Sequence, residues 1–149
     1  MPRTPCIGIC STTYGDLVCR GCKRFAHEIT GWNGYAAEQR AAVWRRLRVL
    51  QAGATRHFID VHDAALLEQS IGARMDANDA DAPALCAYDW LRRRARVGDG
   101  LADMSERAGL RLRAPMDVHR ADAVLRLIDQ EFYARALAHY ERNFRTPAR

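Results

Sequence analysis

Four of the five cysteines stand at positions 6, 10, 19 and 22, in the pattern C-x3-C-x8-C-x2-C. No feature constrains the fold more, because thiols this close along the chain leave few backbone paths if they share one ion. The first residues, Met1-Pro2-Arg3-Thr4-Pro5-Cys6, contain no apolar leader. A cytoplasmic, reducing location is therefore expected, where disulfides are rare and such clusters bind metal. Cys6, Cys10, Cys19 and Cys22 are the candidate metal ligands, two short pairs suited to a tetrahedral site. The intervening Ser11-Thr12-Thr13-Tyr14-Gly15-Asp16 is rich in turn formers, so a short hairpin between the pairs is expected, reversing at Gly15-Asp16. Gly8 and Gly21 stand between paired cysteines, where the backbone must pass close to a metal and its N–H groups can donate to sulfur.

The spacing leaves three chemistries open: a Zn site, an iron–sulfur cluster on the same four thiolates, or an unmetallated thiol pair or disulfide. It does not match the usual ferredoxin runs, and no Cys-Pro follows. Cys22, Phe25, Ala26 and Ile29 fall at helical spacing, which predicts that the last ligand opens a short helix whose N-terminus favours a thiolate.

The charge is concentrated in the same stretch. Residues 1–53 hold eight basic and three acidic residues, while residues 54–149 are balanced at fifteen of each, so the whole formal surplus of +5 lies in the front third. The candidate partner-binding residues are Arg20, Lys23, Arg24, Arg40, Arg45, Arg46 and Arg48. Four thiolates on a divalent ion would bring that surplus down to about +3.

The ordered set Pro5-Cys6-Ile7-Gly8-Ile9-Cys10, Leu17-Val18-Cys19-Arg20-Gly21-Cys22-Lys23-Arg24, Glu28-Ile29 and Gly31-Trp32 resembles a bacterial cysteine-rich family, domain of unknown function 1289. The likeness covers roughly residues 4–53. Members are labelled predicted iron–sulfur proteins, so the resemblance implies a metal or cluster on the four cysteines and no settled activity.

Beyond the cysteines the pattern is helical. Alanine supplies 25 residues against 13 Val plus Ile, which favours helix over sheet. A helix ending at Gly31 as its C′ residue is followed by a turn over 31–35 and a second helix from about Ala36 to Ala52, with Gly53 as its stop. Gly31-Trp32-Asn33-Gly34 lacks the basic centre of an RNA-clamping loop and reads as a turn. A helix is expected from Thr55 to about Arg74. Asp76-Ala77-Asn78-Asp79-Ala80-Asp81 departs from the EF-hand ligand pattern and reads as an acidic linker at the next helix's N-terminus. That helix is predicted over about 83–97, with Arg92, Arg93, Arg94 and Arg96 distributed around its end and Cys86 as a buried thiol. Asp99-Gly100 signals a turn, and residues 105–109 a helical one. Leu110 and Leu112 alternate as an extended segment. The strongest helical pattern is Val118, Ala121, Leu125, Ile128 and Phe132, continuing through Ala136 and Tyr140 to about residue 144, with Pro115 before and Asp117 as N-cap.

The expected architecture is mainly α: a four-cysteine knuckle of a short hairpin plus two helices over 1–53, then a bundle-like helical region over 54–149. No apolar run is long enough to span a membrane. Helix 118–144 needs a partner, within the chain or in a second copy. No hydrolase, metalloprotease or Walker motif is present, so an enzyme finds little support. The reading is a non-catalytic, zinc-knuckle-like adaptor presenting a basic surface to a protein or nucleic acid. The alternative is an iron–sulfur redox or sensing protein.

Overall fold

The computed structural model describes residues 3–97, 100–113 and 120–145. It is mainly helical, with one small two-stranded sheet. The described chain forms two compact units: one joins the residues up to Leu50 with those from Glu131 onward, and the other is Gln51–Gln130. Where the sequence suggests 1–53 and 54–149, the end of the chain thus belongs with the cysteine-rich front.

In the front unit, a 3-10 turn over Ser11–Tyr14 occupies the place expected for a hairpin between the ligand pairs. Gly15, at φ 97°, closes it, a conformation that glycine adopts without strain. The hairpin-like pairing falls later. Val18 and Phe25 form an antiparallel bridge, Cys19 N–H donates to Arg24 O at 2.9 Å, and Lys23 N–H donates to Cys19 O at 2.8 Å. Lys23 takes φ 62° to close this turn. Helix α1 (Ala26–Gly31) therefore starts four residues after Cys22, which sits inside the turn instead of opening the helix. Glu28 Oε2 accepts the Phe25 N–H at 3.4 Å and holds the helix start. Gly31 is right-handed, at φ −86°, so it is no left-handed cap; a Cβ there would stand 2.9 Å from the Tyr35 ring.

Helix α2 (Ala37–Phe58) begins where Ala36 N–H donates to Gln39 Oε1 at 2.8 Å. It runs straight through Gly53, the expected stop. Ala52, Ala54 and Thr55 are fully buried, and Thr55 Oγ1 donates to Gln51 O. Burial on three sides of Gly53 outweighs the roughly 1 kcal/mol that a mid-helix glycine costs. Among the described residues, the front unit shows two apolar clusters. One contains Val18, Phe25 and Ala136, with Leu50, Tyr133, Leu137 and Tyr140; the other contains Trp32, Val43 and Leu47, with Tyr35, Trp44 and Phe132. Residues 132–140 lie on helix α6 (Ala121–Phe144), so this part of its apolar stripe is covered by the front of its own chain. The expected Val118 start and the Asp117 cap lie outside the described residues, as does Asp99 of the expected turn.

In the second unit, the helix expected over 55–74 divides into the end of α2, strand β1 (Ile59–Val61) and helix α3 (Ala64–Ile71). β1 pairs antiparallel with β2 (Leu110–Leu112), Ile59 opposite Leu112 and Val61 opposite Leu110, which confirms the extended reading of 110–112. Asp63 caps α3 by accepting from Leu66 N–H at 3.1 Å. Helix α4 (Ala82–Arg94) packs on α3 and β1, and the short α5 (Leu101–Arg107) packs on β2. Cys86 is half-buried rather than buried. The acidic linker is used locally: Asp76 and Asp79 accept from Asn78 and Asp81 N–H, and Asp81 pairs with Arg56.

Gly109 carries the turn into β2. At φ 74° its carbonyl accepts from His62 and Asp63 N–H at 3.0 and 3.2 Å, and a Cβ there would collide with the Asp63 carbonyl oxygen. Gly72 has φ 70° but open space around it. Gly72→Ala should therefore cost about 1 kcal/mol through backbone strain alone, and Gly109→Ala about 3 kcal/mol because the collision adds to the strain. Urea unfolding midpoints of the two variants check this order.

Candidate metal centre

The turn from Cys19 to Arg24 places two thiols inside the fold, since Cys19 and Cys22 are both buried, while Cys10 is half-buried and Cys6 exposed. Glycine at 21 is required by packing: a Cβ would stand 2.6 Å from the Ile9 carbonyl oxygen and 3.1 Å from the Ile7 side chain. The segment carrying Cys6 and Cys10 therefore lies against the turn carrying Cys19 and Cys22. Arg20 N–H donates to Ser11 Oγ at 2.8 Å and ties the two together again.

Around Cys19 the backbone is arranged to stabilise negative charge. Burial pushes its thiol up, but hydrogen bonds from the backbone of Cys22, Ser11 and Gly21, with the Cys22 side chain, outweigh it and bring the value from 9.0 to about 7. Its Sγ also lies 3.5 Å from Ile9 O. The neighbours of Cys10 on both sides, Ile9 and Ser11, thus touch the Cys19 sulfur. Burial raises Cys22, partly offset by Arg24, whose Nε donates to its Sγ at 3.3 Å. In the first pair, Gly8 N–H donates to Cys6 Sγ at 3.4 Å, and Cys10 Sγ shares a 2.9 Å hydrogen bond with Thr12 Oγ1.

Among the described residues no three His, Cys, Asp or Glu side chains gather closely enough to hold an ion. The structure brings Cys19 and Cys22 together and the backbone of Cys10 beside them, without converging all four sulfurs. The donor set nonetheless suits a thiophilic ion: amide N–H groups on sulfur in both pairs offset thiolate charge, as at metal–thiolate sites.

The basic residues divide sharply. Lys23 and Arg24 are buried, with Lys23 Nζ 5.2 Å from the Phe132 ring centroid and the Arg24 guanidinium 4.7 Å from that of Trp32. Arg40 donates to Trp32 O at 3.1 and 3.0 Å and to Asn33 O at 3.3 Å, capping the 3-10 turn over Trp32–Gly34. Arg46 grips buried Glu28 at 2.5 and 2.7 Å and lies 4.0 Å over the Phe25 ring. Arg20, Arg45 and Arg48 are exposed. Charge counting missed this division, because it assigns every cation to the surface; aromatic residues in the same stretch were the available signal.

Residues 4–51 match the sequence model of a family described as Protein of unknown function (DUF1289). No curated protein and no solved structure matches the chain.

Two outcomes are expected. In metal-free, reduced protein, thiolate absorbance near 240 nm should show a step close to pH 7 that Cys19→Ser removes, because the backbone donors favour the ionised sulfur. Arg46→Ala should cost about 3 kcal/mol in urea unfolding, since it leaves the Glu28 carboxylate buried without its partner. Arg46→Lys should recover less than half of this, because an ammonium can neither chelate the carboxylate nor stack on Phe25 as the planar guanidinium does.

Proposed function

We propose that residues 6–22 form a four-thiolate metal module, held by Cys6, Cys10, Cys19 and Cys22, that acts as a non-catalytic staple and docking element. The observation that carries this is the convergence of the Ser11, Gly21 and Cys22 backbone on the Cys19 sulfur, next to a glycine that admits no side chain. Four protein thiolates complete a tetrahedral shell and leave no open position for substrate, which argues for a structural ion over a catalytic one. Zinc, when bound, supplies folding energy to a unit whose own apolar clusters are small.

The surface available to a partner is narrower and less basic than the charge count suggests. Arg20, Arg45 and Arg48 remain exposed, and the cysteine loop adds Ile7, Ile9, Tyr14 and Leu17, at 63%, 65%, 92% and 52% exposure. Exposed apolar side chains with a few cations suit an acidic protein face better than a nucleic-acid backbone.

Elemental analysis of anaerobically purified full-length protein tests the centre. The expected result is one zinc per chain and no iron, in a colourless sample, with zinc lost in Cys19→Ser and in Cys22→Ser. A brown sample containing iron and acid-labile sulfide would replace this reading with the iron–sulfur redox or sensing one. Protein that retains no metal, or whose metal content survives both substitutions, would remove the four-thiolate centre altogether.

A further inference from the structure

The last turns of α4 carry a feature that the cysteine module does not explain and that lies in the second unit. Asp89, Arg92, Arg93 and Arg96 line a hollow of about 270 Å³. Asp89, Arg92 and Arg93 share one face of α4 at spacings of three and four, and Arg96 follows in the turn after Arg94, its N–H on Arg93 O. The sequence suggests arginines distributed around the helix, but Arg94 alone leaves the group: its guanidinium lies 5.4 Å from the Trp90 ring centroid, with Nη1 3.5 Å from Met104 Sδ. Arg93 is anchored by donation to Ile71 O at 2.9 Å, which fixes one wall.

Among the described residues, Arg20, Arg46, Arg56, Arg107, Arg113, Arg120, Arg126, Arg135 and Arg145 take carboxylate partners. Arg92, Arg93 and Arg96 are exposed, and among the described residues Asp89 is the one carboxylate lining their hollow. The C-terminal dipole of α4 favours cations in the last turn. It does not account for three of them sharing one concave face.

We propose that this hollow binds a phosphomonoester dianion. Three guanidinium groups against one carboxylate give a net charge of about +2, which matches the −1.5 to −2 of a phosphomonoester at neutral pH. Each guanidinium offers a planar fork that meets two phosphate oxygens at once. The concave shape favours a compact terminal phosphate over the singly charged phosphodiesters of a polymer. Asp89 opposes the anion and sets the affinity below what the arginines alone would give. This assignment is independent of the thiolate centre.

Isothermal titration of full-length protein in a phosphate-free buffer tests it, with inorganic phosphate, glycerol 3-phosphate and a single-stranded oligonucleotide without terminal phosphate as probes. Both small phosphates should bind saturably at one site per chain. Arg92→Gln and Arg96→Gln should each weaken binding about tenfold, the size of one lost charge-assisted contact. Asp89→Asn should tighten it several-fold, and Arg107→Gln, on α5 and outside the hollow, should leave it unchanged. Binding of glycerol 3-phosphate but not inorganic phosphate would still support the site and assign it to an organic ester, whereas inorganic phosphate alone would assign it to the free ion. No saturable binding, equal weakening by Arg107→Gln, or tighter binding of the oligonucleotide than of either small phosphate would overturn it.

Discussion

The front unit is organised around one aromatic ring. Phe25 forms the bridge with Val18 that closes the cysteine turn, and its N–H donates to Glu28 to start α1. It underlies the Arg46 guanidinium that holds Glu28. Its ring also meets His139, Tyr140 and Phe144 of α6 at 5.9, 5.2 and 5.4 Å between centroids. Burial, with Arg46 and Arg142 nearby, holds the His139 pKa below its ordinary value. Turn and helix start thus meet in the backbone of a single residue placed three after Cys22, and the buried ion pair and returning C-terminal helix meet on its ring. A metal bound in the preceding turn would act directly on this junction.

That arrangement explains how so small a unit tolerates buried cations. Removing a charged group from water is costly unless its hydrogen bonds and field are replaced. Here the replacement comes from aromatic faces and carbonyl oxygens: Trp32 and Phe25 under guanidinium groups, Gly21 O accepting from Lys23 Nζ, and Trp32 O and Asn33 O accepting from Arg40. Glu28 supplies the one buried carboxylate of the cluster. The positive surplus of the front third is therefore in large part a packing device. A cation count marks the segment correctly and misplaces the charge.

What could be read from the sequence follows from the range of the interactions involved. The turn at Gly15, the described part of the α6 stripe and the extended pair Leu110 and Leu112 are local signals, and each appears in the structure. Gly53 misled because its cost is local and fixed, whereas the burial of Ala52, Ala54 and Thr55 depends on residues distant along the chain. Strand β1 was hidden for the same reason, since Ile59-Asp60-Val61 becomes a strand only when Leu110–Leu112 arrives beside it. The covering of the α6 stripe was also unreadable: Phe132 and Ala136 advertise an apolar face without naming what meets it.

The candidate site shows the same limit at closer range. Sequence spacing selects four sulfurs but cannot say which backbone amides face them, and it is the amides that make Cys19 acidic. Had the turn after Cys22 become the expected helix, its N-terminal dipole would have served a thiolate at Cys22. Instead Lys23 adopts a left-handed conformation, the turn closes through Cys19 and Arg24, and the donors converge on Cys19, while Cys22 takes Arg24. The two sulfurs of one C-x2-C pair are thereby made unequal: amides outweigh burial at Cys19, whereas burial outweighs the Arg24 side chain and amide at Cys22. A bound ion would draw its most ionised ligand from the backbone-supported position, where one of the donors is the glycine at 21, whose Cβ would stand 2.6 Å from the Ile9 carbonyl oxygen.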